Sequence, residues 1–522
     1  MIIRKRPNKL FLLVIKLLVA TLFYVLVLLY KSFHFLETVF EGVDFQLALY
    51  QIRSPLKGTG NEVLRLYVDN CIIHSIIITI FILGIPFVLK ILFTNKKWIW
   101  KIRIVDINFK ITISPLFSTL QKKLYYLILT LCFVILMINS AINVGVFSYI
   151  SRVNNRGTIF EDYYVEPDSV SIVFPENKRN LLLIYLESME STYADVSIGG
   201  GKQENYIPNL TQLAMDNNNF SNTDNSFGGF NNYGLAAWTM AALLATSSGV
   251  PYLLPVEGNS MSEYDKFLPG LNTLGDILES EGYNNYFICG SDASFGGRDI
   301  FYKNHGNYTI LDYYSAQDDG IIPEGYNNNF WGMEDKYLYE YAKTKLSEIS
   351  QNAEPFNFTM LTVDTHHTDG YICDLCRNEH SEQYGNAISC ADRQLSSFME
   401  WACKQEWYED TTIVVIGDHI SMNTTFWDDV DENYKRSVYN CFINVPFDTS
   451  TVKFTNRSMS QLDMFPTILS SMGVRISGER LGLGTNLFSN VPTLEEELGT
   501  DYFYNEASKY SVYYDYNFVN GN

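Results

Sequence analysis

Two carboxylates and an imidazole, Glu187, Asp418 and His419, stand directly after apolar, strand-like runs. Asn180-Leu-Leu-Leu-Ile-Tyr-Leu leads into Glu187, and Thr411-Thr-Ile-Val-Val-Ile-Gly leads into Asp418-His419. A third run, Phe356-Asn-Phe-Thr-Met-Leu-Thr-Val, leads into Asp364-Thr-His366-His367. Short apolar runs bounded by polar residues read as buried parallel strands. In an open α/β sheet, ligands bind beyond the carboxyl ends of the strands. If the three runs lie parallel in one sheet, their polar endings meet on one edge. Two hard oxygen ligands and one imidazole suit a divalent ion such as Mn²⁺, Mg²⁺ or Zn²⁺. Each residue taken singly has a plainer reading. Asp after a strand often caps the next helix, Glu187 can be the acidic residue of a helix start, and His419 can be a surface residue.

A metal site of this kind wants a nucleophile. An Asn/Gly-rich loop at 231–234 enters an Ala/Leu-rich helical stretch that carries Thr239. At a helix start the Thr239 hydroxyl would feel the positive end of the helix dipole. A neighbouring metal would let it ionise and attack phosphorus. The plain alternative is that Thr239 caps or packs.

These residues need a scaffold, and its pattern runs from Asn180 onward. Helical periodicity covers Leu271–Gly282, Met333–Ser350, Asp392–Lys404 and Ser460–Met472, alternating with strand-like runs at 286–289, 356–363 and 411–417. Strands alternating with helices indicate an α/β domain with a mainly parallel sheet. Residues 151–179, polar and broken by Pro167 and Pro175, read as a linker. The Asn-rich patches at 217–222 and 327–329 read as loops. The expected organisation is a membrane anchor over 1–150, the linker, a catalytic domain over 180–500 and a Tyr- and Asn-rich tail over 501–522.

The anchor follows from charge and hydropathy. Residues 1–150 carry 17 Lys and Arg against 6 Asp and Glu, a net of +11; the other 21 and 52 leave −31 for residues 151–522. The acidic part is unsuited to nucleic acid, whose phosphates it would repel, and to a role on an anionic membrane surface. Apolar runs at about 10–30, 71–93 and 124–149 are each long enough to cross the hydrocarbon layer. Arg4, Lys5, Arg6 and Lys9 precede the first run, and residues 95–122 carry six Lys and Arg of their own against Asp106. By the positive-inside rule the N-terminus and that second loop are cytoplasmic, so everything after about residue 150 is outside. The first run is long for a signal-peptide core, and no small-x-small cleavage site follows it. Of eight cysteines, Cys373, Cys376 and Cys390 cluster in the external part, where a local disulfide is expected. Cys373 and Cys376 look like half a zinc site, but no second CxxC or HxxxH follows at zinc-finger spacing.

Several segments together resemble a known family: NLLLIYLESMESTY (180–193), WTMAALLATSSGVP (238–251), LGDILESEGYNNYFICGSDASFGGRDIFYKNHG (274–306), LTVDTHHTDGY (361–371), TTIVVIGDHISMN (411–423) and LGLGTNLFS (481–489). Much of 160–490 is similar to the bacterial phosphoglycerol transferases that modify periplasmic glucans. More broadly it resembles the lipoteichoic acid synthase and phosphoethanolamine transferase branch of the alkaline phosphatase/sulfatase superfamily. The resemblance implies transmembrane helices followed by an extracytoplasmic α/β sulfatase-like domain. It implies that Glu187, Asp418 and His419 bind one divalent ion, most often Mn²⁺, with Thr239 as fourth ligand and covalent nucleophile. It further implies that His366 contacts the transferred phosphate or protonates a departing oxygen, and that Asp292 and Arg298 lie near the glycerol phosphate head. Phosphatidylglycerol would be the donor, and a periplasmic glucan or other envelope glycan the acceptor. Lipoteichoic acid synthases have His and Trp where this chain has Cys289 and Gly296, so their head-group contacts do not carry over whole. Thr223, Ser226 and Thr246 are the fallback nucleophiles. The competing readings are a phosphoethanolamine transferase, a sulfatase- or phosphatase-type hydrolase, and a membrane sensor without catalysis. The sulfatase C/S-x-P-x-R pattern is missing where Trp238-Thr239-Met240-Ala241 stands, and the intact acidic and histidine set speaks against a sensor.

Overall fold

The computed structural model describes residues 9–39, 65–93, 98–104, 107–113, 119–232, 234–253, 266–323, 325–326 and 330–521. The basic residues Arg4, Lys5 and Arg6 and the Asn-rich patch at 327–329 lie outside them. The chain divides into two compact units, Met1–Thr38 with Glu62–Phe147 and Val39–Asn61 with Ser148–Asn522.

The first unit holds α1 (Lys9–Val39), α2 (His74–Phe93) and α3 (Thr119–Asn143). Three stretches, Leu17–Leu36, Arg65–Ile85 and Leu124–Asn143, are long and apolar enough to cross a bilayer, with mean hydropathies of 1.8, 2.1 and 2.2. Their outward side chains are apolar: Leu18, Ile80 and Phe81 stand 64%, 67% and 70% exposed. A bilayer, not water, is the solvent for such a surface, and the chain is a membrane protein. The third span ends at Asn143, short of the expected 149. Gly145 takes a left-handed φ of 82° there, and a separate helix, α4 (Val146–Asn154), begins beyond it. The basic stretch expected to be a loop contains a hairpin, β1 (Trp98–Ile104) antiparallel to β2 (Ile107–Ile113).

The second unit is a three-layer α/β/α sandwich. Its sheet contains β3 (Asn180–Leu186), β4 (Gly229–Phe230), β5 (Asn284–Cys289), β6 (Thr309–Leu311), β7 (Phe356–Leu361), β8 (Thr411–Gly417) and β9 (Val438–Ile443). The order across the sheet is β4-β9-β8-β3-β7-β5-β6. Strands β8, β3, β7, β5 and β6 are parallel; at one side β9 runs antiparallel to β8, and β4 runs antiparallel to β9. The central strands are apolar at almost every position because both faces are covered. Leu181, Leu183 and Tyr185 point to one core together with Val414 and Ile416; that core also holds α5 (Ile159–Tyr163), α6 (Thr239–Ser248), α7 (Leu274–Ser280) and α8 (Met464–Ser471). Leu182, Ile184 and Leu186 point to the other, against α9 (Asp335–Ile349) and α10 (Gln383–Ala402).

Some expected boundaries move. The helix expected from Asp392 starts at Gln383, because Tyr384, Ala387, Ile388, Ala391 and Leu395 form a continuous buried stripe at helical spacing. The expected helix over 460–472 opens as a short 3₁₀ turn, Gln461–Asp463, capped by Ser460 and Asp463, before α8. Residues 151–179 are not a bare linker: they hold α4's end, α5 and a short strand at Ile172–Val173, with Ile159 and Phe160 buried. Phe160 packs on Tyr513, Tyr514 and Phe518, so the tail beyond 500 is part of the same folded unit.

Register is what aligns the strand ends. Leu186 pairs with Gly417, and Tyr185 and Cys289 both pair with Leu361. A Cβ on Gly417 would lie 2.0 Å from the Met189 carbonyl oxygen. Gly417→Ala is therefore expected to destabilise the second unit by about 1–3 kcal/mol, as overpacking does. Thermal melts of parent and variant check this, and equal midpoints would show that β8 is not held this tightly.

Candidate active site

The residue after Leu186 is Glu187, and the residue after Gly417 is Asp418, so the paired ends of β3 and β8 put two carboxylates side by side. His419 follows, and all three are buried, with one ligand atom of each within 4.8 Å of the others. His419 Nε2 lies 3.4 Å from Asp418 Oδ2 and 3.7 Å from Glu187 Oε1. The backbone fixes these groups one atom at a time. Asp418 Oδ1 accepts from the Ser188 and His419 N–H groups, both at 2.8 Å. Ser188 adopts a left-handed φ of 51° at this point, a strained conformation of the kind held at functional sites. His419 Nδ1 donates to the Ile420 carbonyl at 2.8 Å, which leaves Nε2 as a lone-pair ligand.

Thr239 is the first residue of α6, and Trp238 precedes it in an extended conformation. Its hydroxyl lies 3.3 Å from Glu187 Oε2 and 3.5 Å from His419 Nε2. The fallback hydroxyls lie elsewhere. Thr246 bonds to the Ala242 and Leu243 carbonyls and to the Tyr185 hydroxyl; Thr223 pairs with Ser221, and Ser226 meets the Met215 sulfur.

The set fits a divalent cation. Asp418 Oδ2 is buried without a hydrogen-bond partner, and two buried carboxylates cannot both stay ionised unless a cation or strong donors compensate them. Burial, then the Glu187 charge, pushes the Asp418 carboxyl up to about 7. Burial pulls His419 down, but the carboxylates of Asp418 and Glu187 reverse this and leave it raised. Both shifts have one source, two carboxylates buried beside one imidazole.

His366 lies on the loop after β7. Its Nδ1 donates to the His367 carbonyl at 2.8 Å, and the Trp331 ring sits 4.3 Å from it. Burial lowers it to about 4, with smaller contributions from the charges of His419, Asp418 and Arg298. The charges of His419, Asp418 and Arg298 thus all reach His366. Arg298 is buried, its guanidinium donating to Phe295 O, Ser291 Oγ and Asp292 O. Asp292 Oδ1 accepts from Ser294 N and Ser294 Oγ. Asp292 and Arg298 thus shape the turn between β5 and the next helix.

Three further residues escaped the sequence reading. Gln461 Nε2 ties the loop before α6 to the end of β8 through Asn232 Oδ1, Ala236 O and Asp418 O. Asp335 accepts from the Val363 and Asp364 N–H groups and so holds the His366 loop. Trp331 lies between Phe295 and His366. No local pattern marks them: Asp335 and Gln461 look like ordinary polar residues at the starts of expected helices, and Trp331 sits in a loop-like stretch.

A sulfatase family profile matches residues 179–474, more than half of the chain. The chain belongs to the sulfatase family. It is 32% identical over 336 residues to phosphoglycerol transferase I of Shigella flexneri, and equally so to that of Escherichia coli O6:K15:H31, covering 63% of this chain and 41% of each relative. The match therefore spans about two fifths of the length of these curated relatives. Among solved structures, a protein in the alkaline phosphatase superfamily from Vibrio parahaemolyticus aligns with a TM-score of 0.48 and 22% identity, over 62% of this chain and 72% of its own.

Because a bound metal must displace the proton that Asp418 holds below about pH 7, and that of His419 where it is protonated, the affinity of the metal-free protein should fall at least about tenfold for each pH unit below that value. Calorimetric titration with Mn²⁺ on either side of neutrality measures this. Affinity that does not change with pH, or metal content unaltered in Asp418→Ala, would remove Asp418 from the ligand set.

Proposed function

We propose that this chain is a phosphotransferase of the cytoplasmic membrane that moves glycerophosphate from phosphatidylglycerol to a cell-envelope glycan. The observation that carries the reading is the Thr239 hydroxyl, held at a helix N-terminus against Glu187 and His419. The relatives named phosphoglycerol transferase I support the choice of head group. The multi-pass anchor, with the loop charges seen in the sequence, supports an extracytoplasmic catalytic unit beside its lipid donor.

Glu187, Asp418 and His419 would hold the divalent ion, with Thr239 completing the set; Mn²⁺ is the preferred ion, and Mg²⁺ or Zn²⁺ suits the same donors. When bound, the ion supplies charge neutralisation for the nucleophile and for the phosphoryl oxygens. Thr239 Oγ1 gives its proton toward Glu187 Oε2 and attacks phosphorus. The bond from phosphorus to the diacylglycerol oxygen breaks, and diacylglycerol leaves with a proton. The product is glycerophosphate esterified to Thr239. An acceptor hydroxyl then attacks the same phosphorus, its proton is taken up, and the threonine oxygen is released. His366 is the residue for the proton at the outer oxygen in both steps. Its Nδ1–H is committed to His367 O, so Nε2 is the exchanging atom. In the free protein Nε2 is unprotonated, which suits uptake from the acceptor; an entering phosphodiester anion raises its basicity and suits delivery to the departing diacylglycerol.

Thr239→Ala is expected to lower transfer from head-group-labelled phosphatidylglycerol by about a thousandfold or more, as loss of a covalent nucleophile does. The small side chain is tolerated at an Ala-rich helix start. Thr239→Ser should keep partial activity. Mass spectrometry of the quenched protein should find glycerophosphate on the peptide carrying Thr239; an adduct on Thr223, Ser226 or Thr246 would overturn the assignment. A periplasm-only reporter fused at the C-terminus should be active, and activity of a cytoplasm-only reporter there would reverse the topology.

A further inference from the structure

Three sulfurs meet between α10 and the loop that leads into it. Cys373 and Cys376 lie in the loop between β7 and α10, and Cys390 lies on α10 itself. The expected disulfide is not there: all eight cysteines are free thiols among the described residues. Cys373 Sγ is 3.6 Å from Cys376 Sγ and 3.9 Å from Cys390 Sγ, and the three ligand atoms lie within 4.8 Å of one another. A zinc–sulfur bond of about 2.3 Å makes the edge of a tetrahedron about 3.8 Å long. Both measured separations fall on that edge. A disulfide would use two of these sulfurs and leave the third buried beside it with nothing to do; Cys373 and Cys390 are only 6% and 2% exposed.

A fourth group faces the same point. Gln394, one turn beyond Cys390 on α10, is 8% exposed. Its amide nitrogen is assigned 3.6 Å from Cys390 Sγ and 4.0 Å from Cys373 Sγ, while its Oε1 is buried with no hydrogen-bond partner. The two ends of a glutamine amide are interchangeable in shape. Turned end for end, the amide presents its oxygen to the space between the sulfurs. The loop is already shaped around the cluster: Cys376 N donates to Cys373 O, and Cys373 N donates to the Cys376 sulfur at 3.3 Å. Backbone N–H groups aimed at sulfur are the outer-shell contacts that orient thiolate ligands.

We propose that Cys373, Cys376 and Cys390 bind a zinc ion as thiolates, with the Gln394 amide oxygen as fourth ligand. Thiolates select zinc over the harder ions favoured by a carboxylate set, so this site takes zinc whichever ion the carboxylate set holds. The ion clamps the loop to α10. The same loop carries His366 at one end, so the clamp fixes the position of that imidazole without touching substrate. The proposal does not depend on the transfer reaction.

The test uses the full chain purified in detergent without chelator, with zinc counted per chain by mass spectrometry and free thiols counted by alkylation after denaturation without reductant. Zinc should survive in Asp418→Ala and be lost in Cys376→Ser and Cys390→Ser. Gln394→Ala should keep the fold and weaken zinc retention by about 10–100-fold, the usual cost of losing a supporting group. Cobalt(II) loaded in place of zinc should give a sulfur-to-metal charge-transfer band in the parent and in Asp418→Ala, absent in Cys390→Ser. All three cysteines should alkylate in the denatured parent. A disulfide between any two of them, or three free thiols with no zinc in Asp418→Ala, overturns the site. Should the Cys390 variant fail to fold, the Gln394 variant and the cobalt band in the parent still decide.

Discussion

The side-by-side burial of Glu187 and Asp418 is the constraint on which the rest of the site depends. It exists because Leu186 and Gly417 are partners in a parallel ladder, so the next residue on each strand arrives at the same height. Two carboxylates in a buried place repel one another and have lost water; the cost is several kcal/mol per ion unless charge of the other sign is supplied. The backbone supplies part of it, through two N–H donors to one Asp418 oxygen, and leaves the other oxygen directed at His419. The arrangement is thereby an affinity for a cation written into strand register. The first turn of α6 adds the Thr239 hydroxyl to the same point, and Gln461 ties the loop before α6 to β8.

Much of this was legible in the chain. Strands buried on both faces are apolar at nearly every position, so β3, β7 and β8 stood out without any periodic pattern, and their polar ends named the cluster. Thr239 was legible only through its place in a family-like segment; its local chemistry is that of any threonine at a helix start. What was not legible depends on contacts between distant segments. Asp335 and Gln461 act through hydrogen bonds to backbone far away in sequence. The helix before Asp392 was missed because polar Asn386 and Ser389 sit inside its buried stripe, satisfied by partners that the sequence does not announce. Asn386 Oδ1 accepts from the Glu379 and His380 N–H groups, and Ser389 donates to Tyr206 O. The segments at 151–179 and 501–521 looked featureless for a related reason. Each is too short to show a period, and each buries its aromatic residues against the other.

That last pairing has a consequence for how the protein is made. Gly157 N donates to Tyr510 O, and Phe160 lies among Tyr513, Tyr514 and Phe518. Phe160 therefore waits for residues far later in the sequence before its apolar surface is covered. Long-range closure of this kind is slow, and the exposed rings are open to wrong partners in the meantime. Synthesis leaves Phe160 uncovered until Tyr513, Tyr514 and Phe518 have been made, so removal of that late aromatic cluster uncovers a ring that precedes the first strand of the central sheet.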